Sequence, residues 1–356
     1  MRSKPPGFAL TVVLAGMTAA VLAACGSSGS DSAGTTQAAG SEPAATSAAA
    51  AAAATTGPAA EPSTSDTGGT FPVTIAAANG SVTLDQQPGA IVSLSPTATE
   101  MIYAIGAGPQ VTAVDSYSNY PTDAPITDLS ALEPNVEAIA AKQPDLVIVA
   151  DDTSGLTASL GQLDIPVLSL PAAKTFDDVY QQIEQLGVAT GHVGEAAELV
   201  GQMKSRIDAI VKGLPTRTTP LTYYHELDNT FFSVTSKTFI GQVYALLGLQ
   251  NIADQADPDG SGYPQLSQEY IIQSNPDLIF LADTVCCAQD AATVKARPGW
   301  DQLKAVQSGA VVPLNDDIAS RWGPRIVDYL EQVAAAVAKV EPAGASTAGS
   351  QPSTSY

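Results

Sequence analysis

The chain carries two histidines, His192 and His225, and three cysteines, of which Cys286 and Cys287 are adjacent. Acid–base, nucleophilic or metal chemistry would have to be built from these. His225-Glu226 lacks the second histidine of a zinc-protease helix, and neither a Gly-x-Ser-x-Gly elbow nor a glycine-rich phosphate loop occurs. Cys286 and Cys287 with one histidine fall short of a tetrahedral zinc site. Asp257-Pro258-Asp259-Gly260-Ser261-Gly262 lacks the alternating acidic positions and distal glutamate of a calcium loop, and reads as a turn. What remains is recognition. Tyr117, Tyr120, His225, Phe231, Phe232, Tyr263 and Trp322 supply aromatic faces, while Asp317, Arg321 and Arg325 supply directional charge. Aromatic walls with a few polar anchors are the usual make-up of a small-molecule site. No cofactor or metal held by side chains is implied. An exported enzyme using His225 as its base, or a surface adhesion or scaffolding protein, stands as the alternative.

The start of the chain sets the compartment. Arg2 and Lys4 precede an apolar run, Phe8 to Ala24, that closes on Leu22-Ala23-Ala24-Cys25. This is the layout of a secretory signal over 1–24 with small residues before its cut site. A cut before cysteine resembles a bacterial lipobox, which makes Cys25 the lipidated first residue of the mature protein. The run is too short and alanine-rich to favour a permanent membrane span. Residues 25–70 carry a composition of Ala, Ser, Gly, Thr and Pro that cannot bury enough apolar surface to repay ordering, and read as a disordered tether. Its reach is on the order of 35 to 40 Å for a random coil. Residues 341–356 read as a disordered tail of similar composition. A net charge of −21 repels nucleic acid and anionic lipid alike, and the chain is expected to be a monomer.

The remaining 71–340 must place the recognition residues, and an internal repeat organises it. Glu137-Ala138-Ile139 through Pro144-Asp145-Leu146 and on to Ala150-Asp151 recurs as Glu269-Tyr270-Ile271 through Pro276-Asp277-Leu278 to Ala282-Asp283, without a gap. Each copy reads as a short helix stopped before proline, then an apolar run of the kind found in parallel strands covered on both faces. Ile91 to Leu94, Val111 to Asp115, Leu221 to Tyr224 and Val311 to Leu314 read as further strands, with Ser95 capping a helix whose first turn holds Pro96. Asn79-Gly80 between Val73 to Ile75 and Ser81 to Leu84 signals a hairpin. The spacing of Ala197, Val200, Lys204, Ile207 and Val211 predicts a helix over 193–214, about 30 Å long at 1.5 Å per residue. This divides the fold into an N-terminal lobe (71–192), an interlobe helix (193–214) and a C-terminal lobe (215–340). The expected class is α/β, two Rossmann-like lobes with parallel sheets joined by one stiff helix. Ligands of such sheets sit beyond the carboxyl ends of the strands, which selects loops 95–100, 115–120, 150–155, 225–238, 283–290 and 315–325.

With Cys25 assigned to lipid, Cys286 and Cys287 form an even pair in an exported chain, three and four residues beyond a strand. Neighbouring Cα atoms lie about 3.8 Å apart, below the usual disulfide range, and their bond closes almost no loop. The pair reads as a vicinal disulfide stiffening one rim of the cleft, with free thiols as the alternative.

Several segments also resemble a known family. Ser93-Leu94-Ser95-Pro96-Thr97-Ala98-Thr99-Glu100, Val114 to Pro121, Asn135-Val136-Glu137, Ala296 to Trp300 and Arg321-Trp322-Gly323-Pro324-Arg325-Ile326 look like solute-binding proteins of ABC importers, in the class that captures ferric siderophores, haem and cobalamin. The resemblance covers about 91 to 336 and is nearest to cobalamin-binding members. It implies two lobes that close little, a small-molecule chelate as ligand, and docking on an importer permease through Glu137 and Glu269. By position, Tyr117, Tyr263, Asp317 and Arg321 match corrinoid-contacting residues, while two tryptophan positions are Ala131 and Ala150 here. That departure leaves a ferric siderophore or a modified corrinoid as alternatives.

Overall fold

The computed structural model describes residues 69–340. The signal segment, Cys25, all but the last two tether residues and the tail lie outside the described residues.

The N-terminal lobe opens with an antiparallel hairpin, β1 (Val73–Ala77) and β2 (Gly80–Leu84). The turn is Ala78-Asn79 and not Asn79-Gly80, since Gly80 already pairs with Ala77, at a φ of 112° open to glycine. Asn79 is thereby released to bind the main lobe, donating to the Val167 carbonyl (2.8 Å) and accepting from the Ser169 amide (3.2 Å). Four short apolar runs then form a parallel sheet of β3 (Ile91–Leu94), β4 (Val111–Val114), β5 (Leu146–Val149) and β6 (Val167–Ser169), in the order β4-β3-β5-β6. One face packs under α1 (Pro96–Ala104); the other packs under α2 (Val136–Ala140) and α3 (Leu156–Gly161). Cover on both faces is why β3 and β5 are buried at every position. The lobe closes with α4 (Phe176–Thr190), held by a capping box of Thr175 and Asp178.

After α5 (Val193–Gly213), the C-terminal lobe repeats this plan. Its parallel sheet comprises β7 (Thr222–Glu226), β8 (Gln250–Asn251), β9 (Leu278–Leu281) and β10 (Val311–Pro313), in the order β8-β7-β9-β10. Strand for strand this is the N-terminal topology. Around it lie α6 (Phe239–Leu246), α7 (Gln268–Ser274), α8 (Ala291–Ala296), α9 (Lys304–Gln307), α10 (Asp316–Ser320) and α11 (Ile326–Lys339).

The repeated residues have a structural reason. Asn135 and Ser267 cap α2 and α7 by accepting from the Ala138 and Tyr270 amides. Before each repeat proline stands a left-handed residue, Gln143 (φ 53°) or Asn275 (φ 44°). The aspartate that follows ties the lobe's first and third strands together. Asp145 Oδ2 accepts from the Gly89 and Ala90 amides at 2.8 and 3.0 Å, and Asp277 Oδ2 from the Thr222 amide and hydroxyl at 2.9 Å each.

The 21 residues of α5 span about 30 Å. Their buried stripe is Ala196, Val200, Met203 and Ile207, packed against α4 of one lobe and α11 of the other; Ala197 and Lys204, read as part of that stripe, are exposed. Arg206 fastens the helix to α11 through Asp328 (2.8 Å) and Glu331 (2.9 Å).

Replacing Asp145 or Asp277 by alanine strands two amides, or an amide and a hydroxyl, at a strand start. Each change is expected to cost about 1–3 kcal/mol in denaturant unfolding. Losses below about 0.5 kcal/mol at both positions would show the aspartates to be incidental to the fold.

Candidate functional site

The carboxyl ends of β3 and β5 open onto a cavity of about 360 Å³. Ser95, Pro96 and Thr97 of the α1 entrance, Tyr117, Ala131, and Ala150-Asp151 form its N-terminal wall, and Ser320, Arg321 and Trp322 close it from the other lobe. Ser95 faces it because its hydroxyl caps α1 by accepting from the Ala98 amide (3.3 Å). Tyr117, part of this lining, is 62% exposed.

The two walls are bound together by charge. Glu100, on α1 with 2% of its side chain exposed, receives Arg321 Nη1 on Oε1 (2.9 Å) and Arg325 Nε on Oε2 (2.8 Å); Arg325 Nη2 also contacts Oε1. Arg321 Nη2 further donates to the Tyr117 carbonyl (3.0 Å) and to Asp317 Oδ1 (2.9 Å), whose other oxygen accepts from Asn119 (2.8 Å). Trp322 reaches across to Gln182 (3.0 Å), and the Arg325 guanidinium lies 4.0 Å from the Tyr120 ring centroid. Gly323 packs onto the same carboxylate, where a Cβ would come within 3.2 Å of Oε2. Burial holds the Asp115 carboxyl above the usual range, against the pull of Ser118 and Arg321. Among the described residues no cluster of histidine, cysteine and carboxylate could hold a metal ion.

The family described as periplasmic binding protein matches residues 91–318. The chain belongs to the periplasmic binding protein family. It is 31% identical over 277 residues to the uncharacterized ABC transporter substrate-binding lipoprotein YvrC of Bacillus subtilis, a match covering 75% of this chain and 86% of that one. It is 30% identical over 287 residues to a cobalamin-binding protein of Halobacterium salinarum, covering 78% and 77%. Among solved structures, the periplasmic vitamin B12 binding protein of Vibrio cholerae superposes with a TM-score of 0.58 at 27% identity, over 70% of this chain and 96% of that one. These relatives are solute-binding proteins.

In this periplasmic binding protein the residues picked out by sequence divide. Tyr117, Arg321 and Trp322 line the cavity, and Asp317 grips Arg321 beside it. Ala131 and Ala150, the two positions without tryptophan, also line it. Tyr263 is 49% exposed on the C-terminal lobe, outside the lining. His225 does not belong to a cleft loop. Strand β7 runs two residues past the apolar stretch, and His225 lies fully buried in it, bonded through Nδ1 to the Tyr244 hydroxyl (2.6 Å). Burial holds it neutral, down to about 3, and a ring sealed from solvent and substrate cannot act as the base of an enzyme. Phe231 is half-buried and outside the lining, its ring stacked on Trp300 at 5.7 Å; Trp300 is itself fully buried, which leaves Trp322 as the tryptophan at the cleft. Glu137 and Glu269 are exposed, each the second residue of its short helix.

Sequence reasoning passed over Glu100. The available signal was a lone carboxylate among Thr97, Ala98, Thr99, Met101 and Ile102, all buried on one short helix. A charge so placed requires cations from elsewhere in the fold.

The cysteine loop leaves β9 over a second buried acid cluster. Asp316 accepts from the amides of Thr284 (2.8 Å), Val285 (3.0 and 3.1 Å) and Cys286 (2.8 Å), which fixes the loop's path. The Cys286 and Cys287 sulfurs lie in contact, with Cα atoms 3.8 Å apart. The Asp283 carbonyl accepts from the Cys287 and Gln289 amides (3.2 and 3.3 Å). Its carboxyl is fully buried and has no hydrogen-bond partner among the described residues. Next to it, Glu226 is held by both Arg297 terminal nitrogens at 2.6 Å. Burial, then the Glu226 charge, push Asp283 up to about 7.

Between its ordinary 3.8 and about 7, folded Asp283 keeps a proton that the unfolded chain has lost, so this group's stabilisation disappears as pH rises through that window. His225, at about 3 folded against 6.5 unfolded, acts in the opposite sense. Asp283→Asn removes only the first slope. Chemical denaturation should show the variant gaining on the wild type from about pH 4 to 7 and levelling above that; a difference independent of pH would show Asp283 to be ionised throughout.

Proposed function

We propose that the protein is a lipid-anchored, extracytoplasmic receptor that captures a metal chelate, a corrinoid or a ferric siderophore, in the interlobe cleft and delivers it to an ABC importer. The observation that carries this reading is the cavity at the strand ends, walled by Tyr117 and Trp322 and anchored by Arg321. Aromatic faces around one directional polar group suit a large, flat, amphipathic ligand. The cavity takes one face of such a chelate and leaves the rest at the rim, where Tyr117 is exposed. The names of the Halobacterium and Vibrio relatives favour a corrinoid. Alanine at 131 and 150 gives the ligand room in place of stacking area, which also suits a bulkier or modified chelate.

Cys25 supplies the lipid anchor and the segment behind it the tether. Glu137 and Glu269 are the docking groups: exposed carboxylates at equivalent positions of duplicated lobes can meet paired cations on a two-fold permease. The joined Cys286–Cys287 pair stiffens the rim.

Titrating the purified protein with cyanocobalamin and with a ferric trihydroxamate should quench Trp322 fluorescence for at least one of them. Reversing charge at both Glu137 and Glu269 should leave that quenching intact and abolish uptake by cells carrying the importer. Loss of affinity in the reversed variant would remove these residues from docking, and silence across both chelates would overturn the ligand reading.

Thiol titration checks the rim separately. No reactive thiol is expected from Cys286 and Cys287 before reduction and two after it; two free thiols in the untreated protein would rule the bridge out.

A further inference from the structure

The cleft also distinguishes ligands by charge, an inference that rests on the chelate-receptor reading above. Arg321 is the one cation lining the cavity among the described residues, and it is already spent. Its terminal nitrogens meet Glu100 at 2.9 Å, Asp317 at 2.9 Å and the Tyr117 carbonyl at 3.0 Å. Behind it Arg325 engages both oxygens of Glu100. Two guanidinium charges therefore face the Glu100 and Asp317 carboxylates, with buried Asp115 also within the pull of Arg321, so the inner end of the cleft carries no net positive charge. Asp151, exposed on the same lining and without an ion pair among the described residues, adds a negative charge, in a chain whose net charge is −21. Three of the five Arg321 N–H donors are taken, and a ligand carboxylate could claim the guanidinium charge only in competition with Glu100 and Asp317. With 2% of its side chain exposed, a displaced Glu100 would lose half its counter-charge in a medium that screens poorly.

We propose that Glu100 sets the charge selectivity of the cleft: by neutralising Arg321 and Arg325 from the opposite lobe, it admits chelates without net negative charge and rejects anionic ones. Neutral corrinoids and neutral ferric trihydroxamates belong to the first class. Haem, with its two propionates, and trianionic ferric tris-catecholates belong to the second. Glu100 is a positioning residue, acting on the ligand through Arg321. Specificity arises from a repulsive element as much as from the attraction of the aromatic wall.

The test compares dissociation constants by calorimetry for four probes, cyanocobalamin, a neutral ferric trihydroxamate, haemin and a ferric tris-catecholate, on the full mature chain. The wild type should bind at least one neutral probe and hold both anionic probes at least 100-fold more weakly. Glu100→Gln should narrow that ratio tenfold or more by freeing guanidinium charge, and Glu100→Asp should restore it. Asp317, whose side chain is 41% exposed, gives a variant that does not empty the core, and Asp317→Asn should move the ratio in the same direction should Glu100→Gln fail to fold. A wild type that prefers an anionic probe, or ratios unmoved in folded Glu100→Gln or Asp317→Asn, would overturn the charge inference and leave the receptor reading standing. Binding of none of the four probes would overturn both.

Discussion

A carboxylate sealed inside a protein must be met by cations, and here the cations come from the other lobe. Glu100 grows out of the first helix of the N-terminal lobe, while Arg321 and Arg325 flank the short link between α10 and α11. The net stability supplied by such a buried pair is small, because desolvation offsets most of the attraction. Its effect is geometric: neither partner can withdraw without leaving an unpaired charge, so the lobes are held in one register at the cleft. On the far side of the cluster a second cavity of about 440 Å³ runs to α5. Glu100 and its arginines are thus the partition between the cleft and the hinge.

The hinge makes that register affordable. A single helix packed on α4 and α11 allows bending but little independent travel. Around this axis the duplicated lobes are alike in topology and unlike in finish. Asp145 and Asp277 perform the same strand tie, and Glu137 and Glu269 stand on the same helical position. Their equivalents at the strand ends have diverged: Asp151 is exposed on the cleft wall, whereas Asp283 is buried beneath the cysteine loop. The edge strand β6 is covered by Asn79 of the hairpin, a segment for which the second lobe has no counterpart among the described residues.

Much of the scaffold was legible because its signals are local. The repeat located β5 and β9 with their preceding helices, and four-residue apolar runs located β3 and β4. The two-residue β8 and the three-residue β6 are too short to carry a comparable pattern, and α4 went unread although Thr175 and Asp178 cap it. The site was less legible because its partners are far apart in sequence. His225 and Glu226 look like loop residues until Tyr244 and Arg297 are placed beside them, 19 and 71 positions away. Glu100 and Arg321 are separated by 221. Residue type and resemblance both point to Tyr117, Asp317 and Arg321, whereas the carboxylate that pairs with Arg321 follows from burial.

The five residues of α10 then connect the cysteine loop to the charge cluster of the cleft. Asp316 and Asp317 are adjacent in its first turn and point to different tasks. Asp316 gathers the amides of Thr284, Val285 and Cys286, so the path of the cysteine loop is set from α10 and not from the strand that precedes it. Asp317 grips Arg321 and accepts from Asn119 of the other lobe. A shift of α10 therefore moves the cysteine loop and the charge cluster together. Since α10 is separated from α11 only by the segment carrying Arg321 to Arg325, and α11 is fastened to α5 through Arg206, such a shift is resisted from the hinge side as well. The cysteine loop, the charge cluster and the hinge are thus tied to one another through α10 and α11.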